Sequence, residues 1–507
     1  MGILAKVYRQ RLSLLNDLYQ LTMAAGYWRH GLADREAVFQ LSFRSAPFGG
    51  SFVVSAGLES VTDFLQDFRF EQEDLEYLAT LRGSDGGRLF ERRFLDYLRA
   101  LRFTGSVDAM PEGTLSFAHE PLVRVQAPLI QCQLVETALL TLINFQSLIA
   151  TKAARVCYAA AGDSVLEFGL RRAQGIDGGL SASRAAIIGG CAATSNVLAG
   201  KLYDVPVRGT HAHSWVMAFD DELTAFRAYA EAMPNNCLFL VDTYETLEGV
   251  RRAIQVGLEL RQSGYELNGI RLDSGDLVEL SIAARRMLDE AGFPQAVIVA
   301  SNDLDEYEIQ RLKQSGAKIN VWGVGTRLVT AFDQPALGGV YKLTALRSDR
   351  GDWVYKLKLL EQAAKSTNPG VQQVRRFNHG GRIRGDAIFD VHLGWPADGE
   401  IVNPFTGEGM ALDGCGEGQD VLTPVIRSGE LVHRPLAVMS IRDSAAGQLE
   451  LLDRRYRELS AAPLYPVGME RELYQLKQKL IADRDCLRST GGHSTGRPTA
   501  GTDRRIE

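Results

Sequence analysis

Gly269-Ile270-Arg271-Leu272-Asp273-Ser274-Gly275-Asp276 runs directly into an amphipathic segment, residues 277–292. This stretch decides the fold class. Four strand-like residues, a polar turn and a helix ending in glycine make up half of a βαβ unit. The same rhythm recurs on both sides. The sequence predicts strands at Val165 to Phe168, Val205 to Arg208, Leu238 to Val241, Ala296 to Val299 and Ile319 to Trp322. Helices at 246–264, 277–292 and 304–316 separate several of them, and each ends in a glycine suited to a left-handed C-terminal cap. Six or seven units follow, with an extra one at Gly339 to Leu343. Strands alternating with helices of this length predict a parallel sheet.

Where the polar residues fall chooses between an open sheet and a ring. Gly169-Leu170-Arg171-Arg172, Gly209-Thr210-His211-Ala212-His213-Ser214, Asp242-Thr243, Asp273 to Asp276, Ser301-Asn302-Asp303 and Gly323-Val324-Gly325-Thr326 each follow a predicted strand. Groups from so many strand ends meet at one point on the C-terminal face of a barrel, whereas an open sheet gathers them mainly at one switch point. A βα barrel is therefore expected.

The chain is divided into residues 1–150, an N-terminal α+β segment; 151–350, the barrel carrying the active site; 351–485, a C-terminal segment packing with the first; and 486–507, a disordered tail rich in Thr, Gly and Ser. The 507 residues carry 56 Lys+Arg against 62 Asp+Glu, a formal charge of −6. That balance argues against a general nucleic-acid or anionic-membrane binder. Six cysteines contain no C-x-x-C pair, so reduced thiols in a cytoplasmic protein are expected rather than a zinc cluster. No secretory signal stands at the N-terminus, and the longest apolar stretch is too short to span a bilayer.

Neither a Walker A sequence, an H-E-x-x-H pair, a nucleophile elbow nor a complete G-x-G-x-x-G is present. Phosphate binding must then come from loop amides and arginines. Gly325-Thr326 offers backbone N–H groups after a late strand. Arg171 and Arg172 suit bidentate contact with a carboxylate or phosphate, or a plain salt bridge with Glu167. Asp273 can meet sugar hydroxyls or a divalent cation, and alternation along the strand puts it on the face of Arg271. Asp276 or Ser274 can be no more than the cap of the next helix. Two of the eight histidines, His211 and His213, lie two apart after one strand. Each reads as a packed structural histidine, a general base or a phosphoryl acceptor.

Taken in order, Asn16 to Met23, Glu167 to Gly175, Gly209 to Ser214, Arg271 to Asp276, Val321 to Thr326 and Lys365 to Gly370 closely resemble the nicotinate phosphoribosyltransferases, over residues 12 to 480. The resemblance implies the irregular βα (TIM-like) barrel of the type II phosphoribosyltransferases, joined to an α+β domain built from both terminal segments. It also implies a homodimer with shared active sites. The implied reaction joins nicotinate to phosphoribosyl pyrophosphate with coupled ATP hydrolysis, giving nicotinate mononucleotide and pyrophosphate, in NAD salvage. Mg²⁺ accompanies the substrates, and its protein ligands stay undefined.

Residue by residue, the resemblance implies that Phe168 stacks on one face of the pyridine ring and Tyr19 of the partner subunit on the other. Arg171, Thr210 and Arg271 hold the nicotinate carboxylate and nearby phosphate oxygens. His213 is the phosphorylated histidine; Asp273, with Ser274 beside it, meets the ribose; Gly323, Gly325 and Thr326 cradle the 5′-phosphate. Arg44, Lys358 and Lys365 are candidates for the pyrophosphate, donated across the dimer. His211 has no matched role, and Met469 stands where the family pattern has serine.

Three other readings remain. A nicotinamide-using enzyme would carry an acidic residue for the amide, where Leu170 to Gln174 has none. An aldolase barrel would need a Schiff-base lysine at a strand end, for which Lys342 is the one candidate. A non-catalytic ligand-binding paralogue would have lost matched polar residues, yet all are in place.

Overall fold

The computed structural model describes residues 11–358, 367–396, 399–411 and 418–490, with side chains to residue 483. Lys365 and the segment 491–507 lie outside the described residues. Three sheets organise what is described, together with a two-stranded ribbon.

The first is a six-stranded, all-parallel sheet with the spatial order Ala193–Thr194, Ser164–Glu167, Val321–Val324, Val297–Ala300, Gly269–Leu272, Leu238–Leu240. These strands are short and apolar, as strands buried on both faces must be. Between them run the helices Thr246–Gln262, Leu277–Glu290 and Glu306–Gln314. Just beyond these helices, Gly264, Gly292 and Gly316 take φ of +82°, +81° and +83°, the left-handed conformation expected of C-terminal caps. At the other end of the middle helix, the Asp276 carboxylate accepts the N–H groups of Val278 and Glu279.

The expected barrel is not closed. The predicted strand at 205–208 contributes one isolated bridge, Thr194 to Val207. Pro206 has no N–H to continue a ladder. Across the gap, the free edge of Leu238–Leu240 is met by a side chain: the Leu240 N–H donates to His211 Nε2 at 3.2 Å. The hydrogen-bonded sheet thus ends at an imidazole rather than joining its first strand.

A second correction concerns Gly339 to Leu343. It belongs to Gly339–Arg347, which pairs antiparallel with Glu36–Phe43 and is not a further βα unit. That pairing sits in a seven-stranded antiparallel sheet, ordered Trp353–Tyr355, Gly339–Arg347, Glu36–Phe43, Pro121–Pro128, Ser106–Ala109, Thr423–Arg427, Glu430–Leu431. Distant parts of the sequence therefore share one layer. A smaller sheet holds Ile401–Val402, Val467–Glu470, Arg382–Asp390, Gln372–His379 and Gln419–Asp420. The 25-residue helix Glu136–Ala160 packs against both the parallel sheet and the antiparallel one. The closing helix, Arg471–Thr490, continues past residue 485, into the stretch expected to be disordered.

Met469 is fully buried beside Ile388 and Leu473, so the residue that departs from the family pattern fills an apolar core in the smaller sheet. Cys132, Cys191 and Cys237 are buried and Cys157 is partly so, all as free thiols. Among the described residues no helix is long and apolar enough to cross a membrane.

Candidate active site

Arg271 organises the C-terminal edge of the parallel sheet. Nε donates to Ser301 Oγ at 2.8 Å, Nη1 to Thr210 Oγ1 at 3.0 Å and Nη2 to Asp273 Oδ1 at 2.8 Å. Three strand-end segments are tied by one guanidinium, whose donors are fixed in a plane. Strand alternation had put Arg271 and Asp273 on one face, and their ion pair is the result.

Asp273 is the second hub. Its Oδ1 also accepts the Ser301 hydroxyl, and His213 Nε2 stands 3.7 Å from its Oδ2. Burial works to raise its pKa, but the Ser301 hydrogen bond and the Arg271 charge outweigh it and hold the carboxyl below its ordinary value. Asp273 is therefore an anion throughout the neutral range. From below, Asp242 Oδ2 accepts the Asp273 N–H at 2.8 Å and the Ser274 hydroxyl at 2.6 Å. Ser274 is thus held in the loop, while Asp276 serves as the helix cap.

The two histidines separate clearly. His211 is buried among Phe226, Tyr229 and Phe239, and burial lowers its pKa to about 4. Neutral at pH 7, it accepts from Leu240, so its place is structural. His213 is partly exposed, at the start of the helical turn His213–Met217, with Nδ1 3.1 Å from Thr243 Oγ1.

A cavity of about 190 Å³ opens above these groups. It is lined by Phe168, Arg171, Arg172 and Arg271, by Asp273, Ser301, Asn302 and Asp303, and by Gly323, Gly325 and Thr326. A Cβ on Gly323 would stand 2.7 Å from Phe168 Cδ2, so only glycine lets the ring lie across this strand. Gly169 is equally constrained, since a Cβ there would meet Val329 at 2.3 Å. Gly325 and Thr326 begin the short helix Thr326–Val329, whose first amides have no partners within the helix. The salt-bridge reading for Arg171 and Arg172 fails at Glu167. That side chain is fully buried and accepts from the Gly169 N–H, Ser183 and Thr194 instead. Among the described residues neither arginine makes an ion pair.

The site thus assembles Phe168, Arg171, Arg271, Asp273, Gly323, Gly325 and Thr326 around the cavity, with Thr210, His213 and Ser274 linked to it by hydrogen bonds or charge. Three strand ends supply further residues without a role in the motifs, Arg172, Asp242, and Ser301 with Asn302 and Asp303. Asn302 and Asp303 take φ of +92° and +42°, a cost of order 1–3 kcal/mol each that suits a ligand-facing turn. An Asn-Asp pair directly after a strand was the available clue, since both residue types tolerate that region.

Three candidates lie elsewhere in the chain. Tyr19 is half exposed on the helix Leu18–Arg29, where burial and the nearby Glu136 and Asp17 carboxylates raise its phenol pKa. Arg44 lines a narrow cleft on the antiparallel sheet together with Lys342 and His119, and Lys358 N–H donates to Thr367 at this sheet's edge. Lys342 occupies no parallel strand end, which removes the support for an aldolase lysine.

Residues 14–144 match the nicotinate phosphoribosyltransferase N-terminal domain, and residues 164–370 match the nicotinate phosphoribosyltransferase family. The chain belongs to the nicotinate phosphoribosyltransferase family. A member from Bacillus subtilis is 44% identical over 479 residues, covering 93% of this chain and 95% of that protein. One from Mycobacterium tuberculosis is 41% identical over 464 residues, with 90% and 96% covered. The crystal structure of the human nicotinic acid phosphoribosyltransferase superposes with a TM-score of 0.80 at 33% identity, covering 92% of this chain and 99% of that one.

Family membership bears on the charge pattern. Among the described residues no group of three His, Cys, Asp or Glu side chains is placed to hold a metal ion. Asp273 and Asp303 nevertheless line one cavity. That arrangement fits Mg²⁺, which commonly takes one or two carboxylates and the phosphates of its substrate.

Proposed function

We propose that this enzyme joins nicotinate to the anomeric carbon of phosphoribosyl pyrophosphate, releasing pyrophosphate, with ATP hydrolysis coupled through His213. One observation carries the substrate reading: Arg171 and Arg172 line the cavity beside Phe168 and, among the described residues, have no carboxylate partner. An aromatic face next to unpaired guanidinium groups suits a flat ring bearing a carboxylate.

In this reading Phe168 stacks on the pyridine ring while Arg171 orients its carboxylate. Thr210 and Arg271 complete the polar wall, the latter held rigid by its three hydrogen bonds. Asp273, with Ser274 next to it, meets the ribose hydroxyls, and Mg²⁺ accompanying the substrate would be held there and at Asp303, where it neutralises phosphate charge. The amides of Gly325 and Thr326 take the 5′-phosphate, and Gly323, next to them, makes room for the Phe168 ring. The C–N bond forms as the C–O bond to pyrophosphate breaks, through an oxocarbenium-like state. Positioning and charge stabilisation suffice for that chemistry, so no side-chain nucleophile is required.

His213 takes the γ-phosphoryl group of ATP, releasing ADP, and water later removes it as inorganic phosphate. Thr243 occupies Nδ1, which leaves Nε2 facing Asp273. Assembly as a homodimer is supported by two apolar surfaces. Leu18, Tyr19 and Met23 are exposed on the helix Leu18–Arg29, and Ile176, Val197, Leu198 and Leu202 are exposed on the helices Gly175–Ile188 and Val197–Tyr203. Pairing the two would bring Tyr19, Arg44 and Lys358 of one subunit to the cavity of the other.

Mononucleotide formation from labelled nicotinate, run beside nicotinamide, tests the reading. Preference for the acid is expected, and equal use or preference for the amide would overturn it.

A further inference from the structure

Lys477, on the closing helix Arg471–Thr490, is 4% exposed. Its ammonium donates to Asn368 Oδ1 at 2.9 Å, and among the described residues it has no carboxylate partner. Burial lowers its pKa to about 8. A buried cation without a counterion is costly and calls for an anion that the free protein does not supply.

What Lys477 holds is equally informative. Asn368 lines the narrow cleft on the antiparallel sheet, with Arg44, His119, Lys342 and Thr367. Among the described residues no carboxylate lines that cleft. The Gln372 amide donates to Asn368 O at 2.7 Å and to Pro369 O at 3.2 Å, so this turn is fixed from both sides. His119 is held at φ +73° with its N–H bonded to Phe43 O, and burial together with the Lys477 and Arg44 charges lowers its pKa. At neutral pH the cleft therefore presents cations to an anion while His119 stays uncharged.

We propose that Lys477 is a positioning residue for the pyrophosphate end of the phosphoribosyl substrate, acting by fixing Asn368 and by completing the positive field of this cleft. The inference rests on the reading above, in which this sheet faces the partner's cavity. Lys477 reaches the ligand through Asn368 and through its charge, with no contact of its own required.

Steady-state kinetics of Lys477→Met and Lys477→Arg test it. For the methionine variant the KM for phosphoribosyl pyrophosphate rises about tenfold, about 1.4 kcal/mol. The nicotinate KM and kcat stay near wild type, and inhibition by inorganic pyrophosphate weakens in step. The arginine variant, which keeps the charge, recovers most of the loss. Calorimetric binding of inorganic pyrophosphate needs no turnover, so it reads Lys477 even if nicotinate proves not to be the substrate. Unchanged pyrophosphate binding in both variants would overturn the proposal. So would a loss confined to the ATP step, or a uniform fall in kcat and thermal stability that arginine does not rescue.

Discussion

His213 Nε2 lies 3.7 Å from Asp273 Oδ2, and its other ring nitrogen lies 3.1 Å from Thr243 Oγ1. An imidazole is thereby aimed at the carboxylate hub of the cavity without closing on it. His213→Ala is expected to abolish nicotinate-stimulated ATP hydrolysis while leaving phosphoribosyl transfer at a reduced rate. Parallel assays of phosphate release and mononucleotide formation check this; ATP coupling that survived unchanged would remove the histidine from the mechanism.

Gly323 is held by the Phe168 ring. Gly323→Ala places a methyl group 2.7 Å from Phe168 Cδ2, so the ring must shift. Because misplacement of about 1 Å can cost up to ~100-fold, kcat/KM for nicotinate is expected to fall by one to two orders of magnitude. The melting temperature should change little by comparison, since the ring is half-buried at the cavity.

His211 makes stability depend on acid. Its folded pKa, about 4, lies below the ordinary histidine value near 6.5, so the unfolded chain binds the extra proton first as pH falls. Its share of stability is fully present above 6.5 and is lost progressively between 6.5 and 4, by an amount of order 3 kcal/mol. His211→Gln keeps an acceptor for the Leu240 N–H but does not titrate. Melting curves across that range should show a weaker pH dependence for the variant, and identical slopes would contradict the assignment.

The shared-site arrangement has a direct test. Tyr19→Ala and His213→Ala subunits, each deficient as homodimers, should regain ATP-coupled activity when mixed and reassociated, because one composite site is then intact. If every site were built within one chain, mixing would restore nothing.

Much of the site was legible in local sequence. Strand alternation puts Arg271 and Asp273 on one face, and turn chemistry places Gly325-Thr326 at a helix start. These depend on neighbours a few residues apart. Asp242 beneath the Asp273 loop and Ser301 beside Arg271 were visible as polar residues after strands, yet their partners sit about thirty positions away. The two arginines after Phe168 posed a similar choice. Only the buried environment of Glu167, already occupied by Ser183, Thr194 and the Gly169 amide, decided against a salt bridge.

By itself the sequence determined the parallel βα rhythm, its glycine caps and the family, because periodicity and motif order are properties of the linear chain. Tertiary structure alone decided that the parallel ladder stays open at His211, that Gly339–Arg347 joins the antiparallel sheet, and that Lys477 meets Asn368 from more than a hundred residues away. Those outcomes depend on which edge finds a donor or acceptor once the layers are packed. Hydrogen-bond partners of this kind are fixed by proximity in space, which spacing along the chain does not encode.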